Sequence, residues 1–274
     1  MHEKHEKIGA LGERLREYSE RELANAPIER PEQMYLALTW VRQQTSGDLP
    51  YCATLAHTDF LSIQGKNRRY YGGDQAWYAQ RFHRKAGCGT VAVACITAYL
   101  GLYDGKPQLY AGKQEGGRLT VPGFLPHMDA VMETLSPTSF GIPWVPYLQR
   151  GAERFMQTRQ MEVAEWFSLH GVCRCESSLR NAEAYLLCNL INNRPMACIH
   201  WGGVKALPVL NPDHVPEEKN VDMNWHWVIV TGMERSAEEW TVTISSCGSK
   251  YILPLRAFLR GRPSLTTPII RTRA

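Results

Sequence analysis

No apolar run in this sequence is long enough to cross a bilayer. The longest, Thr90 to Leu102, covers thirteen residues, against the roughly 20 that a spanning helix needs. An export signal is missing too, because the opening segment MHEKHEKIGALGERLREYSERELANA is charged throughout and has no apolar centre. These two features predict a cytoplasmic protein with no membrane partner. An excess of one charge is also lacking: the net charge is +4, too small to call for nucleic acid. Five arginines (Arg256, Arg260, Arg262, Arg271, Arg273) and no acid fall in the last twenty residues, so the rest of the chain is close to neutral. There is no dinucleotide-binding glycine fingerprint, no phosphate loop and no internal repeat, and no cofactor is expected. The eight cysteines, at 52, 88, 95, 173, 175, 188, 198 and 247, follow no disulfide or zinc spacing and read as free thiols of a reducing compartment.

What the sequence does contain is a change of pattern along its length. Its 274 residues allow one sizeable core with a modest extension. Residues 6–45 carry helical spacing, with Ile8, Leu11, Leu15 and Tyr18 among charges and a break at Pro27 to Pro31. Residues 46–87 read as loop with short extended pieces. From Thr90 to Leu102 the chain is apolar on nearly every side, which predicts a buried central helix. Further helices are expected over 124–135, 143–158 and 181–193. Strands follow at Met196–Trp201, Trp225–Thr231, Trp240–Ser245 and Lys250–Leu255, the middle pair joined by a hairpin. Helices first and strands later predict an α+β fold. The expected division is a helical extension over 1–65, a main domain over 66–262 and a basic tail over 263–274.

The sharpest chemical feature is Ala86-Gly87-Cys88-Gly89 at the start of the apolar helix. A thiol there faces unpaired backbone N–H groups and the positive end of the helix dipole, both of which favour the thiolate. Glycines on either side would leave a carbonyl room to approach the sulfur, and the Cys88 N–H would face the developing oxyanion. A thiol nucleophile needs a base. His226, in the strand Trp225-His-Trp-Val-Ile-Val-Thr-Gly232, lies 138 positions downstream. Read alone, Cys88 is equally a buried inert thiol and His226 a core histidine.

Taken in order, Cys88-Gly-Thr-Val-Ala, the Asn193-Arg-Pro turn into a strand, His226-Trp-Val-Ile-Val-Thr-Gly, a hairpin and Ile244-Ser-Ser-Cys-Gly248 resemble the papain-like cysteine peptidases. The bacterial branch similar to the bacteriocin-leader (double-glycine) peptidases is the nearest in pattern, over about residues 70–260. The resemblance implies a helical half bearing the cysteine, an antiparallel sheet half bearing the histidine, and a thiol hydrolase acting on a peptide or amide bond between them. It also implies an oxyanion-hole glutamine about six residues before the cysteine. Gln80 is eight before and Gln75 thirteen before; the glycine-rich loop around Gln75 favours it, and both stay open. Where the resemblance implies an asparagine or aspartate to orient the histidine, this chain has Ser245. Asn220, Asp222 and Asn224 stand close before His226 as substitutes. A serine carries no charge to stabilise an imidazolium, so the sequence also fits a catalytically inactive peptide-binding module of the same fold.

Three other groups have competing readings. His170, Cys173, Cys175 and Cys188 suggest a metal cluster, but Cys-x-Cys is too tight for the usual ligand gap. His2 and His5 read as a terminus. Arg81, His83, Arg84 and Lys85 form a basic loop expected either to be solvated or to place a positive field near Cys88.

Overall fold

The structure is a computed structural model and describes residues 52–170, 176–201, 207–209, 219–221, 223–235 and 239–272. The helical spacing read over 6–45 therefore lies outside the described residues, as do Cys173, Cys175 and Asp222. Among the described residues no helix is long and apolar enough to cross a membrane.

The fold is mixed α+β, with an antiparallel sheet and the helices around it. Helix α1 (Arg81–Ala86) runs into α2 (Cys88–Tyr103), followed by α3 (Val121–Leu135), α4 (Val145–Thr158), α5 (Glu176–Ile191) and the short α6 (Leu255–Phe258). The large sheet has seven strands: β1 (Cys52–Thr54), β6 (Met161–Leu169), β7 (Met196–His200), β10 (His226–Arg235), β11 (Trp240–Ser246), β12 (Ser249–Pro254) and β13 (Ser264–Thr272). Its order is β12-β11-β10-β7-β13-β6, and β1 pairs with the far end of β10. All its pairings are antiparallel. A second sheet joins β2 (Ser62–Gln64), β3 (Arg69–Tyr71), β4 (Gln114–Glu115) and β5 (Arg118–Thr120); a third pairs β8 (Leu207–Val209) with β9 (Lys219–Val221).

Helix α2 is the centre of the core. Every residue from Gly89 to Gly101 is buried, as an all-round apolar helix requires. Its two buried threonines turn their hydroxyls onto backbone carbonyls, Thr90 to Gly87 at 2.7 Å and Thr97 to Val93 at 2.8 Å. No polar side chain on the helix is thereby left unpaired in an apolar setting. Strand β10 is buried from Trp227 to Met233 and packs against α2. This contact joins the cysteine helix to the histidine strand.

The three-part division of the sequence is not the one the structure draws. The stretch read as a basic tail forms β13, which lies inside the sheet between β7 and β6 with Leu265, Ile269 and Ile270 buried. Nor does an extension run to residue 65. Cys52–Thr54 pairs with Gly232–Glu234, and Leu55, Phe60, Leu61 and Ile63 belong to the core. The basic segment before Cys88 is helical rather than loop. Its Arg84 guanidinium donates to the Tyr78 and Ala79 carbonyls, at 2.8 and 2.5 Å, so its position is fixed by the backbone it binds.

Candidate active site

Cys88 is the first residue of α2, and Gly87 caps the helix without a side-chain hydrogen bond. Both flanking glycines answer to packing. A Cβ on Gly87 would meet the His83 carbonyl at 2.3 Å, and one on Gly89 would meet Ile142 at 2.7 Å and the Trp227 ring at 3.1 Å. Space for an incoming carbonyl, the reason the sequence suggested, is thus not what these glycines supply. Gly87 lets the His83 carbonyl and the Tyr78 ring approach, Gly89 lets Ile142 and Trp227 close beside Cys88, and the Trp227 indole donates to the Ile142 carbonyl at 2.7 Å to hold that closure.

His226 opens β10, opposite His200 on β7. The preceding Trp225 has a φ of 52°, in the left-handed region where a bulky residue is an outlier that costs on the order of 1–3 kcal/mol. The Trp225 N–H donates to the His200 carbonyl at 2.9 Å, and its ring stands edge-on to Trp201 at 5.8 Å. These contacts fix the turn that delivers His226.

Cys88 and His226 line one small cavity, together with Gly73, Gln75, Trp227, Ser245, Ser246 and Cys247 among others. The cavity joins four parts of the chain far apart in sequence. Gln75 begins a 3-10 turn capped by Asp74, whose carboxylate accepts from the Ala76 N–H at 2.9 Å. The Gln75 Nε2 donates to the Arg84 carbonyl at 3.0 Å, which orients the amide. Its Oε1 is buried with no hydrogen-bond partner among the described residues. Gln80, in contrast, is exposed at the N-cap of α1 and is not among the lining residues.

The two serines divide their roles in a way the sequence reading missed. Ser245 lines the cavity, but its hydroxyl donates to the Tyr71 carbonyl at 2.6 Å. The Ser246 hydroxyl is the one that lies 2.9 Å from His226 Nε2. Cys247 follows, its Sγ 3.9 Å from the same nitrogen. The imidazole orienter expected at Ser245 is therefore displaced by one residue, and a second thiol stands beside the ring.

The electrostatics of Cys88 also differ from expectation. Burial pushes its thiol up from the ordinary range, and the backbone N–H groups of Trp227, Gly89 and Cys88 itself, which favour the thiolate, only partly oppose this. A helix N-terminus lowers a thiol pKa most where the sulfur remains hydrated; here the packing that positions it also dries it. The other buried thiols are shifted upward more simply. Cys95, whose sulfur accepts from the Gly73 N–H at 3.1 Å, is raised to about 12 by burial, and Cys188 to about 11 for the same reason.

Among the described residues no three His, Cys, Asp or Glu side chains are grouped to hold a metal ion. His170 is exposed and Cys188 buried in α5. Compared with protein-family models, with curated proteins and with solved structures, the chain matches none.

Proposed function

We propose that the chain is a cysteine hydrolase of papain-like type that cleaves a peptide or amide bond, with Cys88 as nucleophile and His226 as base and then acid. The observation that carries this reading is that Cys88, His226 and Gln75 line one cavity although they come from a helix start, a strand start and a loop. In the resting site burial disfavours the Cys88 thiolate, and Ser246 offers the His226 ring a hydroxyl rather than a carboxylate. As the sulfur attacks the carbonyl carbon, its proton passes to the imidazole, whose Nε2 lies beside the Ser246 hydroxyl. The Cys88 N–H and the second N–H of Gln75 Nε2 hold the oxyanion, while the Arg84 carbonyl anchors the first. The imidazolium then protonates the leaving nitrogen, the C–N bond breaks, and water hydrolyses the thioester.

The test is the rate of site-resolved alkylation of Cys88 by iodoacetamide, across the pH range, in the parent and in His226→Ala. A histidine acting as base makes Cys88 lose roughly 10²-fold in rate without it, the low end of general-base effects. An unchanged rate overturns the reading. The second reading, a peptide-binding module without turnover, is favoured by the raised Cys88 pKa, and that unchanged rate is the result it requires.

A further inference from the structure

The cavity holds a thiol that hydrolysis does not use. Cys247 occupies the turn between β11 and β12, with φ values of 47° at Cys247 and 69° at Gly248. Successive positive φ angles make a hairpin turn suited to asparagine or glycine at its first central position, and a cysteine there carries a local conformational cost. The turn is fastened to the cavity wall. The Gly248 N–H donates to the Gly73 carbonyl at 3.0 Å, and the Tyr71 N–H donates to the Gly248 carbonyl at 2.9 Å. Cys247 is exposed as a residue and lines the cavity with Cys88, and its sulfur lies 3.9 Å from His226 Nε2. Burial pushes the Cys247 thiol up from its ordinary range, the Ser246 hydroxyl opposes this, and the charges of Asp74 and of a Cys88 thiolate add to it, so the two sulfurs sense each other.

We propose that Cys88 and Cys247 form a reversible redox pair, in which a peroxide oxidises Cys247 and Cys88 resolves the product as an intramolecular disulfide. The Cys247 thiol gives up its proton and its sulfur attacks one peroxide oxygen. The O–O bond breaks, the departing oxygen leaves as water after protonation, and Cys247 becomes a sulfenic acid, oxidised by two electrons. The Cys88 thiol then gives up its proton, its sulfur attacks the Cys247 sulfur, the S–O bond breaks and a second water leaves. A small-molecule dithiol restores both thiols. Oxidation thus converts the nucleophile into a masked form and spares it irreversible over-oxidation. Cys95 cannot take this part, being fully buried.

The experiment treats the full chain with hydrogen peroxide, labels remaining thiols with iodoacetamide, and maps linked peptides after non-reducing trypsin digestion. Trypsin leaves Cys247 alone in the 236–250 peptide, and Cys88 with Cys95 in the 86–113 peptide, so fragment ions decide which of those two is linked. Labelling of Cys88 is expected to fall about tenfold or more, to return with dithiothreitol, and to be retained after peroxide in Cys247→Ser. In Cys88→Ser, dimedone is expected to trap a sulfenic acid at Cys247. The proposal is overturned if Cys88 is lost equally in Cys247→Ser, if the linkage joins other cysteines, or if it forms between chains. Because the readouts are linkage and alkylation, failure of the hydrolase reading leaves this test intact.

Discussion

Replacing Ser246 with aspartate should shift the site toward the thiolate–imidazolium pair. The Ser246 hydroxyl lies 2.9 Å from His226 Nε2. A carboxylate at that distance from an imidazolium would gain roughly 6 kcal/mol at an effective dielectric constant of about 20. Ser246 is only 5% exposed, so desolvating the carboxylate offsets most of this. Hydrogen bonds to charged groups exceed neutral ones by a net ~1–1.5 kcal/mol, which is about one pKa unit. The alkylation profile of Cys88 should therefore move about one unit toward acid, giving close to tenfold faster labelling at pH 6.5 than in the parent. Ser246→Asn separates charge from shape: it offers an oxygen of similar reach with no charge and should leave the profile near the parental one. Thermal unfolding of each variant reports the stability lost by burying the new group. If Asp and Asn variants label alike, or neither differs from the parent, Ser246 does not govern the imidazole.

Two further outcomes follow from the same geometry. Gln75→Ala should slow turnover of any substrate found by roughly 10²–10³, while Gln80→Ala, altering an exposed N-cap, should leave kcat/KM unchanged; equal effects would remove Gln75 from the oxyanion hole. The protein should also lose stability in acid because of two buried histidines. His127 accepts from the Ala111 N–H through Nδ1 at 3.1 Å and donates from Nε2 to the Ala94 carbonyl at 2.9 Å, so a second ring proton would face a donor. Burial lowers its pKa to about 4, and burial lowers that of His200 to about 4 as well. Folded pKa values below the unfolded ~6.5 mean that the unfolded state binds these protons first, so stability is full above pH ~6.5 and falls down to pH ~4. The loss is on the order of 3 kcal/mol for each ring. Urea midpoints measured through that range, in the parent and in His127→Gln, would show it, and a flat parental profile would refute it.

Much of the main scaffold is legible in the residues. A helix apolar on all sides can only be central, and the alternation of β-branched and aromatic residues marks β7, β11 and β12 within a residue or two of where they lie, and the start of β10, which runs on to Arg235, four residues past the expected end. The end of the chain misleads because arginine count conceals its pattern. Ser264-Leu-Thr-Thr-Pro-Ile-Ile-Arg-Thr272 is rich in β-branched residues that suit a pleated surface, and charge says nothing about pairing. Its proline, which argues against an interior strand, is accommodated because β7 pairs only with Ser264–Thr266. At Pro268 the strand therefore keeps one neighbour, β6.

The site was legible in its residue types and illegible in its last ångströms. Cys88 and His226 announce themselves by local setting, one at the head of an apolar helix and the other at the head of a strand. Whether Ser245 or Ser246 meets the ring is a question of register, and adjacent strand residues point to opposite faces. That register depends on an irregularity between Val230 and Gly232 in the β10–β11 ladder and on the tight turn at Cys247 and Gly248. Neither leaves a mark in the spacing of Ile244-Ser-Ser-Cys-Gly. The choice between Gln75 and Gln80 stays open in the sequence because distance along the chain favours Gln80 and the glycine-rich loop favours Gln75, whereas in the fold the Asp74 cap and the Arg84 carbonyl hold the turn and amide of Gln75 at the cavity. The thiol pKa inverts for the strongest reason of all. The sequence showed the dipole that would lower it, but only the packing of Ile142 and Trp227 against Gly89 shows how little water remains to support the charge.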